Sequence, residues 1–105
     1  MTTLYFAYGS NMNREQMAKR CPGSRIGPPA RLTGWRYFIN GRGYAGVEEF
    51  PAAHALGCLW TLEDEHVAAL DRYEGVEGNY YSKETLEVEQ LEDGSKQFAL
   101  VYLSV

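Results

Sequence analysis

The stretch LGCLWTLEDEHVAALDRYEG, residues 56–75, joins an apolar segment directly to an amphipathic one and decides how the chain folds on either side. Its first part, LGCLWTL, is almost entirely apolar, which is typical of a strand buried on both faces near the centre of a sheet. Thr61 closes that segment, and Asp64 follows it at the spacing of a capping box. The pattern therefore predicts a helix over residues 62–74 that Gly75 ends in a left-handed conformation.

Glu74 is the residue of this helix that the apolar pattern does not explain. It follows Leu70 by four positions and Val67 by seven, so its carboxylate projects from the apolar face. A glutamate at a helix end commonly points to solvent, but the free carbonyls of the last turn oppose an anion by roughly 0.3–1 kcal/mol. The neighbouring sequence is also rich in tyrosine and aliphatic residues. Burial and the helix end both raise a carboxyl pKa, which suits a general base that works near neutral pH.

The N-terminal segment TLYFAYGS, residues 3–10, predicts a short buried strand that runs into a turn. Its last residues begin the tetrapeptide YGSN, residues 8–11, and Asn13 then begins a short helix as its N-cap. Successive backbone N–H groups at such a strand-to-helix corner form a concave site for an anion or a developing oxyanion. Gly-Ser-Asn is also ordinary turn chemistry, so the tetrapeptide alone leaves a plain turn as the alternative.

The rest of the chain alternates strands with turns. Residues 30–40, ARLTGWRYFIN, predict a second strand, and residues 41–46, GRGYAG, a glycine-rich loop or tight hairpin. Residues 48–55, EEFPAAHA, have no regular pattern, whereas residues 84–105 predict two strands joined by a turn at Asp93–Gly94. Strands outnumber helices, and the helices interrupt the strand series singly. We therefore expect an α+β fold with a mixed or closed small sheet.

Composition bounds the function. A chain of 105 residues is long enough for one domain, which we expect to span residues 1–105. The net charge of −4 comes without a cluster of Lys or Arg, which argues against nucleic acid and anionic membrane as partners. The N-terminus has no basic segment followed by an apolar run, so we expect no signal peptide, no membrane span and a cytoplasmic protein.

Cysteine and histidine residues give no sign of a metal site. Cys21 and Cys58 are the only cysteines, and with His54 and His66 they show no metal-ligand spacing. We expect two reduced thiols instead of a disulfide. The histidines are expected in a loop and on the helix surface, respectively, without a sequence-near triad partner.

The eight tyrosines are a second source of candidate site residues, since each has an apolar ring and a polar tip. Core and strand positions account more simply for most of them, including Tyr5, Tyr37 and Tyr44. Three arginines could each pair with a substrate carboxylate, although a solvated surface position is the simpler explanation for any one of them. These arginines are Arg31, Arg36 and Arg42.

Four segments together resemble the γ-glutamylcyclotransferase-like family. These are YFAYGSNMN at the start, ARLTGWRYFIN in the middle, GCLWTL before a helix, and LDRYEGV with the later YY after it. The joint occurrence of YGSN and LDxxEG is far more specific than either motif alone, and the resemblance covers nearly the whole chain. It implies a small mixed β-barrel flanked by short helices, with one pocket.

The resemblance also implies a reaction and the residues that perform it. A γ-glutamyl amine or amino acid would attack its own γ-carbonyl with its α-amine, giving 5-oxoproline and a free amine, without a metal or other cofactor. Glu74 would be the acid/base, the small γ-glutamyl compound the partner, and the chain a monomer or homodimer. The residues implied for substrate binding are Tyr8, Gly9, Ser10, Asn11, Tyr81, its neighbour Tyr80 and, more loosely, Tyr102.

Two other functions remain open from the sequence. The chain could be a binding module that keeps the family pocket without turnover, or a structural domain that associates through its strands. Formation of 5-oxoproline distinguishes the enzyme from both. Thermal stabilisation by 5-oxoproline without product would indicate the binding module.

Overall fold

The computed structural model describes residues 2–104, apart from the side chain of Ser10. Five strands, two α-helices and one 3-10 turn follow one another along the chain. They are β1 (Thr2–Ala7), the 3-10 turn (Ser10–Met12), α1 (Arg14–Arg20), β2 (Arg25–Ile39), β3 (Ala45–Glu63), α2 (Asp64–Glu74), β4 (Tyr81–Gln90) and β5 (Lys96–Ser104).

The five strands form one closed barrel in the order β1-β3-β2-β4-β5. Neighbouring strands are antiparallel except where β5 returns to β1, which it meets in parallel with Tyr5 opposite Leu100. The sheet is therefore mixed as well as closed. The predicted α+β fold, a small mixed β-barrel flanked by short helices in a single domain, is confirmed.

Side chains of alternate residues fill two separate apolar layers, because successive residues of a strand point to opposite faces. In β1, Phe6 enters the barrel interior, while Tyr5 and Ala7 point outward. The interior layer consists of Phe6, Tyr8, Ala30, Leu32, Val47, Ala55, Leu59, Val88, Ala99 and Val101. The outer layer, beneath the helices, consists of Tyr5, Ala7, Met17, Cys21, Trp60, Leu62, Leu70, Tyr81 and Tyr102. In the apolar run of residues 56–62, Leu59 joins the interior layer and Trp60 and Leu62 the outer layer, so this strand is buried on both faces as predicted, except at Leu56, which is 56% exposed.

Two strands are longer than the sequence predicts. Residues 48–55, expected to be irregular, lie within β3, and β2 begins at Arg25 before the two prolines at 28–29. The pairing of β2 with β3 shifts between Ile26 and Pro29 and again between Thr33 and Trp35. A bulge tolerates residues that cannot join the hydrogen-bond ladder. The prolines therefore interrupt the pairing without ending the strands.

The start of α2 also differs from the prediction. The N-cap is Glu63, not Thr61, and its backbone N–H donates to Nδ1 of His66 at 2.9 Å. Because Nδ1 accepts, Nε2 carries the proton and donates to the Pro22 carbonyl at 2.6 Å. His66 is buried, so the expected helix-surface position was wrong; its ring ties the start of α2 to the segment after α1.

The other predicted helix ends are confirmed. The Oδ1 of Asn13 accepts the N–H of Gln16 at 3.1 Å and caps α1. Gly75 ends α2 with φ +70, a left-handed conformation that glycine adopts without strain. Both cysteines are free thiols; Cys21 is buried and Cys58 half-buried.

Gly57 is where the barrel tolerates no side chain. A Cβ atom built there would lie 2.2 Å from the Ala7 carbonyl oxygen and 2.9 Å from the Phe6 ring. We expect Gly57→Ala to destabilise the fold by about 1–3 kcal/mol, since a backbone atom cannot yield as a side chain does. Thermal unfolding would record a Tm lower by roughly 4–8 °C per kcal/mol.

Gly41→Ala is the matched control, because a Cβ at that position meets nothing within 4 Å. Equal Tm values for Gly57→Ala and Gly41→Ala would contradict the close approach of β3 to the end of β1.

Candidate active site

One cavity of about 690 Å³ lies where the end of β1, the C-terminal end of α2 and the β2–β3 turn meet. Its volume lies in the ordinary range for small-ligand sites, roughly 300–1,000 Å³. The eight tyrosines of the chain all line it. They are Tyr5, Tyr8, Tyr37, Tyr44, Tyr73, Tyr80, Tyr81 and Tyr102. Core and strand packing therefore does not fully account for them, and the simpler explanation from the sequence was incomplete.

Glu74 contributes a carboxylate to the lining of the cavity. It is the last residue of α2 and half-buried, and Gly75 turns the chain away immediately after it. Burial raises the pKa of the Glu74 carboxyl above its ordinary value, and the positive charges of Arg20 and Arg42 only partly oppose that rise. The helix periodicity thus correctly predicted an inward glutamate.

The last turn of α2 is held in place by Asp71, one turn before Glu74. Its two carboxylate oxygens accept from the Tyr102 hydroxyl at 2.7 Å and from Nζ of Lys83 at 2.8 Å. These contacts join the helix to β5 and to β4. Glu74 is therefore positioned by the barrel wall as well as by its own helix.

The side-chain hydroxyl and the backbone carbonyl of Tyr102 are both hydrogen-bonded within the protein. Its hydroxyl donates to Asp71, and its carbonyl oxygen accepts the hydroxyl of Tyr8. Burial, together with the hydrogen bond to Asp71, raises the pKa of the Tyr102 phenol. The tyrosine predicted for substrate binding thus lines the cavity, with its hydroxyl bonded to the helix.

The YGSN segment follows β1 at the edge of the cavity. A Cβ at Gly9 would lie 3.1 Å from the Cβ of Ala45, so the loop passes close to the start of β3. Tyr8, Gly9 and Asn11 all line the cavity. Ser10 begins the 3-10 turn, but its side chain, predicted to bind substrate, lies outside the described part of the structure.

Asn11 is buried and faces inward. Its Nδ2 donates to the Tyr5 hydroxyl at 2.9 Å, and its Oδ1 accepts from the guanidinium of Arg20. Arg20 also donates to the hydroxyl of Tyr73 on α2. Asn11 therefore organises the cavity wall by linking β1 to α1, in addition to lining the cavity.

Tyr80 and Tyr81 both line the cavity, so the choice between them that the sequence left open does not arise. Tyr81 is buried, and its hydroxyl donates to the Ala45 carbonyl at 2.6 Å. Tyr80 is 52% exposed and lies at the rim. Its ring borders Gly75, where a Cβ would come within 2.7 Å of it.

The cavity wall combines neutral hydroxyl groups with charged side chains. Burial, above all, raises the pKa values of the Tyr5, Tyr8 and Tyr81 phenols, and the negative charge of Glu74 raises them further. These hydroxyls therefore remain neutral donors at physiological pH. The formal charges beside them belong to Glu74 and to arginines.

The sequence did not assign the two cavity arginines, Arg20 and Arg42, to the site: it missed the first and left the second open. Arg20, the last residue of α1, was not predicted at all, although a basic residue so soon after YGSN is a weak local signal. Of the three arginines that were considered, only Arg42 lines the cavity. Arg31 and Arg36 instead pair with Glu89 at 2.7 Å and Glu48 at 2.6 Å.

Residues 2–104 contain no group of three or more His, Cys, Asp or Glu side chains arranged to hold a metal ion. In the same part of the chain, no helix has the length and apolar character needed to cross a membrane.

The chain is similar to curated gamma-glutamylcyclotransferases from mammals. It is 32% identical to that of Bos taurus over 88 residues, which cover 74% of this chain and 47% of the relative. Its identity to that of Homo sapiens is 31% over 88 residues, with coverage of 74% and 47%. The chain spans about half the length of the curated relatives it matches.

The fold has solved counterparts and a matching family model. A solved structure of a gamma-glutamyl cyclotransferase superposes with a TM-score of 0.94 at 25% identity, covering 100% of this chain and 68% of the other. The crystal structure of an uncharacterized protein from Homo sapiens gives 0.90 at 27% identity, covering 99% and 67%. Residues 5–104 match the family model described as gamma-glutamyl cyclotransferase, AIG2-like. The chain belongs to that family.

Proposed function

We propose that this chain is a γ-glutamyl cyclotransferase, which converts a small γ-glutamyl amine or amino acid to 5-oxoproline and releases the amine. The observation that carries the proposal is the Glu74 carboxyl, whose pKa is raised by burial in a tyrosine-lined cavity beside the YGSN loop. Family membership and the mammalian relatives named gamma-glutamylcyclotransferase support it.

In the proposed reaction, Glu74 acts first as a base. Its carboxylate takes a proton from the substrate α-ammonium, and the freed amine attacks the γ-carbonyl carbon of the same molecule. A new C–N bond closes the five-membered ring, and the γ-carbonyl oxygen becomes an oxyanion. An ordinary carboxyl of pKa ~4.3 accepts that proton poorly from an ammonium of pKa ~8. The raised pKa of Glu74 narrows this gap.

Glu74 then acts as an acid. It returns the proton to the leaving nitrogen, the original amide C–N bond breaks, and the carbonyl of 5-oxoproline re-forms. The ring nitrogen still carries the second proton of the attacking amine and loses it to the released amine, so the products are the lactam N–H and an ammonium ion. Acid–base catalysis of this kind contributes about 10²–10⁴ to the rate. Holding the substrate folded into ring-closing geometry supplies much of the remainder, because attack is then intramolecular.

The remaining proposed roles concern binding. Tyr8, Gly9, Ser10 and Asn11 form the loop against which the γ-glutamyl part binds, with backbone donors near the oxyanion or a carboxylate. The second wall of the pocket consists of Tyr80, Tyr81 and Tyr102. We further propose that the chain, as one domain over residues 1–105, works in the cytoplasm, where free thiols such as Cys21 and Cys58 persist.

Glu74→Gln is the direct test of the mechanism. We expect kcat for 5-oxoproline formation from a panel of γ-glutamyl compounds to fall by about 10²–10⁴, because the amide can neither accept nor return the proton. Glu77→Gln, an exposed acid just beyond the helix, is the matched control and should retain activity. Full activity of Glu74→Gln would disprove the proposed role.

The pH dependence of kcat/KM provides an independent test. Glu74 must be ionised to accept the α-ammonium proton, so activity should decline as the carboxyl protonates. Because burial raises its pKa, the acid limb should lie above the value of about 4.3 for an ordinary glutamate. Initial rates measured at low substrate across the pH range would show this. An acid limb at or below the ordinary value would contradict a buried base.

Thermal stability tests the burial of Glu74 without reference to activity. A carboxyl whose folded-state pKa is raised favours folding while protonated, and this contribution is lost as pH rises through the folded pKa. Glutamine never ionises. We therefore expect the Tm of Glu74→Gln, relative to the unaltered chain, to rise between about pH 4 and about pH 7. A difference that does not change with pH would indicate a solvated carboxylate.

A further inference from the structure

The turn between β2 and β3 is braced by Asn40. Its Oδ1 accepts the backbone N–H groups of Arg42 at 2.9 Å and Tyr44 at 3.0 Å, and its Nδ2 donates to Oγ of Ser104 at 3.1 Å. Gly43 supplies the positive φ of +84 that the turn requires. These contacts tie the turn to the end of β5. The backbone that carries Arg42 therefore has a defined position at the rim of the cavity.

The guanidinium of Arg42 lies among tyrosine rings. Its Cζ is 4.3 Å from the ring centre of Tyr80, 5.1 Å from that of Tyr44 and 5.8 Å from that of Tyr81. Contacts within about 6 Å hold a cation by attraction to the π-face. They use none of the five N–H donors of the guanidinium, which remain suited to a planar, two-oxygen acceptor such as a carboxylate.

Arg42 differs in this respect from Arg36, which lies on the same hairpin. Arg36 also stacks on an aromatic ring, at 4.5 Å from the centre of Phe50, but it is paired with Glu48 at 2.6 Å. Within residues 2–104, Arg42 makes no ion pair with an acidic side chain at 4.0 Å or less. Its positive charge nevertheless opposes the rise in the pKa of the Glu74 carboxyl, which lines the same cavity.

The position of Arg42 indicates which part of a substrate it would meet. Arg20 is linked to Asn11 of the YGSN loop and to Tyr73 of α2, so it lies on the wall that faces the γ-glutamyl part. Arg42 comes from the exposed turn, on the wall formed by Tyr80 and Tyr81. In the proposed binding mode, with the γ-glutamyl part against the YGSN loop and the reacting atoms beside Glu74, the part that is released would extend toward this rim.

We propose that Arg42 is a selectivity residue that binds a carboxylate on the released part of the substrate. The inference rests on the proposed function and narrows it, because the site then favours compounds whose leaving amine carries a carboxylate over neutral or cationic γ-glutamyl amines. Charge-assisted, two-oxygen pairing by arginine supplies this discrimination.

The test compares two substrates that differ only in that charge: γ-glutamylalanine and γ-glutamylalaninamide. We expect Arg42→Gln to lower kcat/KM for the acid by about 10- to 100-fold, mainly through KM, because the contact is present in both the ground state and the transition state. For the amide substrate, kcat/KM should change by less than about threefold. Arg42→Lys should restore part of the loss by retaining the charge.

Arg36→Gln is the matched control, since it removes a stacked arginine of the same hairpin outside the cavity; it should alter neither substrate. An equal loss for both substrates with Arg42→Gln, or no loss for either, would overturn the selectivity role and leave the proposed reaction intact. If the unaltered chain forms no 5-oxoproline from either compound, the proposed function fails and the inference fails with it.

Discussion

The parallel contact between β1 and β5 closes the barrel and also assembles the site from opposite ends of the chain. It brings Tyr102 beside Tyr5, with ring centres 5.8 Å apart in an edge-on arrangement. The hydroxyl of Tyr8 then donates to the Tyr102 carbonyl, and the hydroxyl of Tyr102 donates to Asp71 on α2. Each later feature of the cavity depends on this closure. Without it, the loop after β1 and the end of α2 would have no common wall.

The barrel wall also explains how the ionisable side chain of Glu74 is retained in a partly buried position. Glu74 shares its cavity with neutral phenols, and the positive charges of Arg20 and Arg42 lower the cost of its own charge without cancelling it. A full ion pair would hold the carboxyl pKa down and leave a weak base. Exposure to solvent would do the same. The intermediate environment keeps the pKa of the Glu74 carboxyl above its ordinary value.

Local patterns in the sequence predicted what depends on local geometry. The helix period located Glu74 and Gly75, the capping preference located Asn13, and the strand-to-helix tetrapeptide located the loop. The strand through residues 48–55 was missed because its pairing partner is β2, whose irregular register accommodates Pro51. Pairing across a barrel is a non-local property, and short apolar patterns do not encode it.

The two cavity arginines that the sequence left unassigned are also explained by non-local contacts. Arg20 and Arg42 lie in segments that no motif relates, one at the end of α1 and the other in the β2–β3 turn. Their approach to Glu74 follows only from barrel closure. For the same reason, Arg31 and Arg36 could not be distinguished from Arg42 until their partners Glu89 and Glu48 were located.

The gathering of every tyrosine around one cavity has an optical consequence. Neither tryptophan, Trp35 or Trp60, lines that space, although Trp60 packs in the same outer layer as Tyr5, Tyr81 and Tyr102. All tyrosine absorbance therefore comes from rings at the cavity, where it responds to a change in polarity or charge. The near-ultraviolet absorbance of this protein thus contains a built-in reporter, because every tyrosine band arises from a ring that borders the cavity.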